Sequence, residues 1–320
     1  MSIQIINNQF NQSNQCTIKM KKIKSPSFNS KVLLFGEYAL IKGSMALSIP
    51  FNKYTGQLLF DQSAKNLKSN HYSVAYLVDY FNFLKDTGFE KQINTDVFRQ
   101  DIEHGLIFET NIPISYGLGS SGAIVASIYD SYAFSKSDNL DELKNIFSKM
   151  ESYYHGKSSG LDPLVSYLNS AILIDKKGVL KTVNLPTENK NANSGIFLLD
   201  TKTRGETQPL VNWFLKEYEN TNFKSKIQNT LIPANNSCIK NYLSGDFNSL
   251  LKNVKSVSQF TLDYLKPMIP SSIEEIWKKG LITDDYYLKL CGSGGGGMML
   301  GFTNNLAETL EELETAETLR

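Results

Sequence analysis

Apolar positions along the chain fall into short runs and helical stripes separated by glycine. Residues 31–35 (KVLLF) form an apolar run stopped by Gly36, which predicts a buried strand followed by a turn. Over residues 72–85, Val74, Leu77, Val78, Phe81 and Leu84 recur at helical spacing, and Gly88 follows as a stop. Residues 106–110 and 195–200 (GIFLLD) predict strands. The pattern turns helical from 121 to 134, directly after a group of glycines, and again from 140 to 154. Beyond 195 it predicts a strand, two helices, and a glycine-rich loop between the apolar runs 286–290 and 298–302. Helices and strands mix without strict alternation and no internal repeat is visible, so the expected class is α+β.

A chain of 320 residues has two domains as its prior. The polar stretch 182–194, with Pro186 and several Asn, is the expected linker, so the expected domains are 23–190 and 191–320. Residues 1–22, rich in Asn and Gln, are expected to be a disordered or loosely docked extension. Lys+Arg number 33 and Asp+Glu 32, so no long-range field draws in nucleic acid or an anionic membrane, and any phosphate binding must be local. Cys16, Cys238 and Cys291 stand far apart, with no metal or disulfide spacing, which fits a reducing compartment. No apolar run is long enough to span a bilayer and no secretory h-region is visible, so cytoplasm is the expected location.

Tyr116-Gly117-Leu118-Gly119-Ser120-Ser121-Gly122 runs straight into the helical pattern. Glycines permit tight turning and close backbone approach, and the free N–H groups at a helix start attract an anion. The Walker A pattern is absent, since no Lys precedes Ser120 or Ser121. Alone, the segment reads equally as a glycine turn with serine caps. Glu151 and Asp162 lie either side of His155, Gly156, Ser158, Ser159 and Gly160, so their carboxylates can turn toward one point from different elements. A divalent metal bound to phosphates needs one or two protein oxygens, and a hydroxyl nucleophile needs a carboxylate base. The competing readings are a helix N-cap for Asp162 before Pro163 and a solvated helix face for Glu151. Lys31, at the start of its strand, can supply fixed positive charge or sit at a strand edge. The loop at 292–297 (GSGGGG), between apolar runs, reads as a tight loop that lets backbone lie against a ligand, or as a flexible linker.

The order of these segments resembles the GHMP kinases (galactokinase, homoserine, mevalonate and phosphomevalonate kinases). That family places a P-x-x-x-G-L-G-S-S loop between a Lys-containing strand and a C-terminal G-x-G-G-G-G loop, and the resemblance spans roughly residues 24–302. Residues 155–162 (HGKSSGLD) and 198–211 (LLDTKTRGETQPLV) are similar to segments of the mevalonate-specific branch. Gly36-Glu37-Tyr38 and Gly122 are instead usual in the phosphomevalonate branch. The resemblance implies a ribosomal-protein-S5-like N-terminal domain, a ferredoxin-like C-terminal domain, and ATP with Mg²⁺ in the cleft. It implies Asp162 as catalytic base with Lys31 beside it, and Ser121 and Glu151 as metal ligands. It further implies Tyr116, Gly117, Leu118, Gly119, Ser120, Ser121, Gly122, Gly294 and Gly295 around the nucleotide, and Glu37, Tyr38, Lys202 and Arg204 toward the acceptor. The expected reaction is phosphorylation of the mevalonate primary hydroxyl by a monomer or homodimer. The alternatives are phosphomevalonate as acceptor, or a ligand sensor without turnover.

Overall fold

A computed structural model describes residues 22–61, 72–187 and 193–319. Most of the expected extension, residues 1–21, lies outside the described residues, as do 188–192 of the expected linker. Lys22 is already in structure, since the short strand β1 (Lys22–Ile23) pairs with residues 59 and 60.

The first sheet has six strands. β2 (Phe28–Phe35) extends the expected strand by three residues toward the N-terminus and pairs antiparallel with β3 (Ala46–Phe60). No expectation covered β3, because Pro50, Gly56 and the polar residues 52–55 interrupt its pattern. The register between Asn29 and Ser30 jumps from Thr55 to Phe51, so residues 52–54 leave the ladder as a bulge while the strand runs on. Helices α1 (Tyr72–Asp86) and α2 (Thr95–Glu103) lead to β4 (Leu106–Thr110). Then come α3 (Ser120–Tyr132), α4 (Leu140–His155), α5 (Leu161–Leu168), β5 (Ala171–Ile174) and β6 (Leu180–Val183). Thr182 and Val183, expected in the linker, close the first sheet through pairing of β6 with β5. Val74, Leu77, Ile124, Val125, Ile128, Leu143, Phe147 and Leu164 fill a core between this sheet and its helices.

The second sheet opens with β7 (Gly195–Asp200). Two helices were expected after it; the structure has α6 (Thr207–Glu217), α7 (Thr221–Lys226), α8 (Ile232–Ser244), α9 (Phe247–Tyr264) and α10 (Glu274–Thr283). A π-helical turn at Ile227–Leu231 joins α7 to α8, so apolar spacing shifts there and no single period runs through. β8 (Tyr286–Leu290), β9 (Met298–Thr303), α11 (Leu306–Glu312) and β10 (Ala316–Thr318) complete the unit. The order β10-β7-β9-β8 is fourth, first, third, second in chain order, all antiparallel, which is the ferredoxin-like arrangement. Phe35 at the end of β2 stacks on Phe302 of β9 at 5.6 Å, so one apolar core joins the two sheets. No helix among the described residues is long and apolar enough to cross a membrane.

Candidate active site

Lys31 sits mid-strand in β2, where α3 and α5 cover the sheet, and its residue is 5% exposed. Its backbone N–H donates to the Leu118 carbonyl at 3.0 Å, which ties the phosphate loop to the strand. The aliphatic stem of Lys31 runs past Gly119, where a Cβ would stand 2.8 Å from Cγ. Gly119 also caps α3 with φ +75°, a conformation an L side chain resists. Only glycine allows both the turn and the close approach. The loop thus presents the N-terminus of α3 beside a buried ammonium.

Asp162 reaches the same point from α5. Residues 156–160 fold back along α4: the Ser148 hydroxyl donates to the Ser158 carbonyl at 2.6 Å. Gly160 caps α5 with φ +72°, so Asp162 lies within the first helical turn and the N-cap reading for it is overturned. The Lys31 ammonium stands 2.9 Å from an Asp162 carboxylate oxygen, and the Asp162 side chain remains 31% exposed. Burial acts to lower the Lys31 pKa, but Asp162, by charge and hydrogen bond, more than reverses this, and the net shift is upward. The lysine is held charged. The surface-edge reading of Lys31 is overturned.

Glu151, on the inner face of α4, is 2% exposed, so it is not on a solvated face. The Ser121 hydroxyl donates to one carboxylate oxygen at 2.8 Å, and the Ser158 hydroxyl donates to the other. Burial and the nearby Asp162 charge push Glu151 up to about 7, against the pull of the two serines and Lys31. Lys31, Asp162, Ser121 and Glu151 therefore form one cluster. Ser158 belongs to it too through its bond to Glu151, a role that its place between the two acidic residues does not reveal. The helical residue His155, to which no chemistry was assigned, has a side chain outside the described residues.

The C-terminal glycine loop packs against the phosphate loop. A Cβ on Gly117 would stand 2.6 Å from the Cys291 carbonyl oxygen, and one on Gly297 would stand 2.6 Å from the Tyr116 Cα. The Met298 N–H donates to the Tyr116 carbonyl at 3.3 Å. The loop is a packed element, and the linker reading fails. Gly294 and Gly295, expected near the nucleotide, pack on Met268: Gly294 is buried against it, and the Gly295 N–H donates to its carbonyl at 2.7 Å. That donor is already engaged within its own domain.

The acceptor-side residues divide. Glu37 is buried in an ion pair with Lys289 at 2.7 Å, and the Tyr38 hydroxyl donates to the Ser293 carbonyl at 2.6 Å. The polar atoms of both, expected toward the acceptor, are engaged within the protein. Lys202 is exposed and paired with Asp200 at 2.8 Å. Arg204 lines an open cleft of about 370 Å³ with Tyr54, Ile114, Tyr116, Asp200 and Met298.

This arrangement has counterparts. A family model described as the GHMP kinases N terminal domain matches residues 76–170, a stretch that includes the phosphate loop, Glu151 and Asp162. Over that stretch the chain matches a GHMP kinase N-terminal domain. A mevalonate kinase from Thermococcus sibiricus is 25% identical over 213 residues, which cover 59% of this chain and 61% of that protein, less than two thirds of its length. One from Thermococcus onnurineus is 23% identical over 320 aligned residues, 91% of each chain. Among solved structures, the L. major mevalonate kinase in complex with R-mevalonate superimposes with a TM-score of 0.64 at 17% identity, covering 94% of this chain and 96% of that one. The Streptococcus pneumoniae phosphomevalonate kinase in complex with phosphomevalonate and AMPPNP gives 0.60 at 15% identity, over 92% and 98%. The two-domain GHMP kinase fold is common to both acceptor classes. Within the matched stretch, Gly117 and Gly119 make close contacts with Cys291 and Lys31, and Asp162 pairs with Lys31, which lies outside it.

Proposed function

We propose that this chain transfers the terminal phosphoryl group of ATP to the primary hydroxyl of mevalonate. The Lys31–Asp162 pair at the N-terminus of α3 is the observation that carries the reading. Phosphoryl transfer is chiefly a matter of positioning and charge stabilisation. The N–H groups of residues 119–122 face the phosphates. Asp162, with part of its carboxylate open to solvent, accepts the acceptor's hydroxyl proton. Lys31, held charged inside the protein, lowers the cost of negative charge on the attacking oxygen and on the phosphoryl group.

Ser121 and Glu151 suit Mg²⁺, a hard cation that takes oxygen ligands and keeps several waters and phosphate oxygens. Held by these two residues, Mg²⁺ would supply positive charge against the phosphates. Glu151 must lose its proton to act as a ligand, so its raised pKa sets proton against metal at this site.

Two sequence signals favoured phosphomevalonate, and packing accounts for both. The Tyr38 hydroxyl is engaged by Ser293, and Gly122 is required by contact with the Asp162 backbone. A sensor without turnover has no need of a lysine–carboxylate pair whose carboxylate stays partly open to solvent. The test is a coupled ADP-release assay of the purified protein with mevalonate, phosphomevalonate, galactose and homoserine. Turnover with mevalonate supports the reading; turnover with another acceptor replaces it, and turnover with none removes it.

A further inference from the structure

The Glu37–Lys289 pair is not explained by the chemistry above. Its side chains are 6% and 2% exposed, and they come from different sheets: Glu37 from the turn after β2, Lys289 from β8. Burial raises the Glu37 pKa, against the pull of Lys289 and of the Gly292 backbone, and the Lys289 ammonium donates to the Leu290 carbonyl at 2.7 Å. One residue on, Tyr38 holds the Ser293 carbonyl and keeps φ at +58°, a conformation that a bulky residue adopts only when its surroundings enforce it. Its ring packs on Phe214 at 4.8 Å. Two consecutive side chains of one domain thus grip residues 289–293 of the other. Cys291, within this gripped segment, has its carbonyl against Gly117 of the phosphate loop. Burial pushes its thiol up to about 11, so it stays a neutral thiol there.

Packing alone does not call for such a pair. Two well-packed apolar side chains in place of a buried ion pair are often as stable or more so, while removing one partner leaves a costly unpaired charge. What the pair adds is direction, because a charged contact shared with Gly292 fixes one register of turn against loop.

We propose that Glu37 and Lys289 are positioning residues: together with Tyr38 they clasp the turn after β2 onto the C-terminal glycine loop, and so set the phosphate loop relative to Lys31 and Asp162. The effect on turnover rests on the kinase reading; the clasp itself does not. The test compares the full-length protein with Glu37→Gln, with Lys289→Arg, and with the paired variant Glu37→Met/Lys289→Met, which leaves no unpaired charge. Amide exchange is followed at Gly297 and Met298, whose N–H groups bond to the Thr203 and Tyr116 carbonyls, with β3 as internal reference.

In the paired variant, exchange at Gly297 and Met298 is expected to rise by about 10-fold or more, with β3 unchanged and the Tm within a few degrees of wild type. With mevalonate, kcat is expected to fall about 10- to 100-fold while the acceptor KM changes less than about 3-fold, since a small misplacement costs rate before binding. Lys289→Arg, which keeps the charge, is expected to recover most of the rate. If exchange at both amides and kcat match wild type, the pair is structural only and the proposal is overturned. If wild type turns over no acceptor, the kinase reading fails, and the exchange result alone decides the clasp.

Discussion

Gly122 and Asp162 are in backbone contact: a Cβ on Gly122 would stand 2.7 Å from the Asp162 carbonyl carbon and 2.9 Å from the Pro163 nitrogen. The first turn of α3 and the first turn of α5 therefore meet at a point where no side chain fits. The carboxylate opposite Lys31 is placed by that contact.

Gly122→Ala is accordingly expected to push α5 away from α3 and to lower kcat by about 10-fold or more, because displacing a reacting group by even an ångström is costly. MgATP affinity should change far less, since the N–H groups that face the phosphates keep their places. Steady-state kinetics together with nucleotide binding check this. An alanine variant with wild-type kcat would mean that the contact yields without moving Asp162.

Glu151 gives a pH dependence whose sign is fixed. Its folded-state pKa, about 7, lies above the unfolded value, so the folded metal-free protein binds the extra proton between pH 4.5 and 7. Stability from this group therefore falls as pH rises through that window and is level above it. The span is on the order of 1–3 kcal/mol, allowing for its coupling to Asp162. Glu151→Gln, in EDTA, is expected to raise the Tm by a few degrees at pH 8 and to have little effect at pH 5. A lower Tm for the variant at pH 8 would contradict the assigned shift.

With Mg²⁺ present the same residue acts in the opposite direction. Glu151→Gln and Ser121→Ala should each raise the Mg²⁺ concentration for half-maximal rate, since each removes one oxygen donor. Ser158→Ala, which removes a hydrogen bond to Glu151 but no direct donor, should raise it less. Identical Mg²⁺ dependence in wild type and all three variants would show that the metal lies elsewhere.

How much of this was legible beforehand depended on whether partners lie in one local pattern. The three glycine segments, Lys31, Glu151 and Asp162 stood out because each lies at the edge of a local pattern, and local chemistry gave each an alternative that burial has now removed for Lys31 and Glu151. Glu37–Lys289 could not be read, because its members are separated by 252 positions and neither breaks its local pattern. The joint formed by Asn235 and Asn236 with Ser44 and Met45 was hidden for the same reason. Strand β3 was missed because its bulge mimics a turn. A sequence shows that Glu37 and Tyr38 follow the strand, but not that they turn inward.

The acceptor preference has its own expectation. Mevalonate carries one carboxylate; phosphomevalonate adds a doubly charged group that needs further Arg or Lys contacts to leave water. The cleft beside Tyr116 offers Arg204, with Asp200 next to it, and Lys202 is already paired with that aspartate. kcat/KM for mevalonate is therefore expected to exceed that for phosphomevalonate by at least about 100-fold, or roughly 2.7 kcal/mol of transition-state binding. A reversed preference in a side-by-side assay would mean that other cations reach the acceptor.

The role of Asp162 is tested most directly by Asp162→Asn, assayed for ADP release at saturating MgATP and mevalonate, with MgATP binding measured on the same samples. Asparagine keeps the shape and the place in the first turn of α5, where Gly160 and not residue 162 is the cap. It cannot take a proton from the acceptor. Turnover is expected to fall by about 10²- to 10⁴-fold with MgATP affinity within a few-fold of wild type, the range for loss of a general base. A variant that keeps more than about a tenth of the wild-type rate would contradict the account, and would leave Asp162 as no more than the ion-pair partner of Lys31.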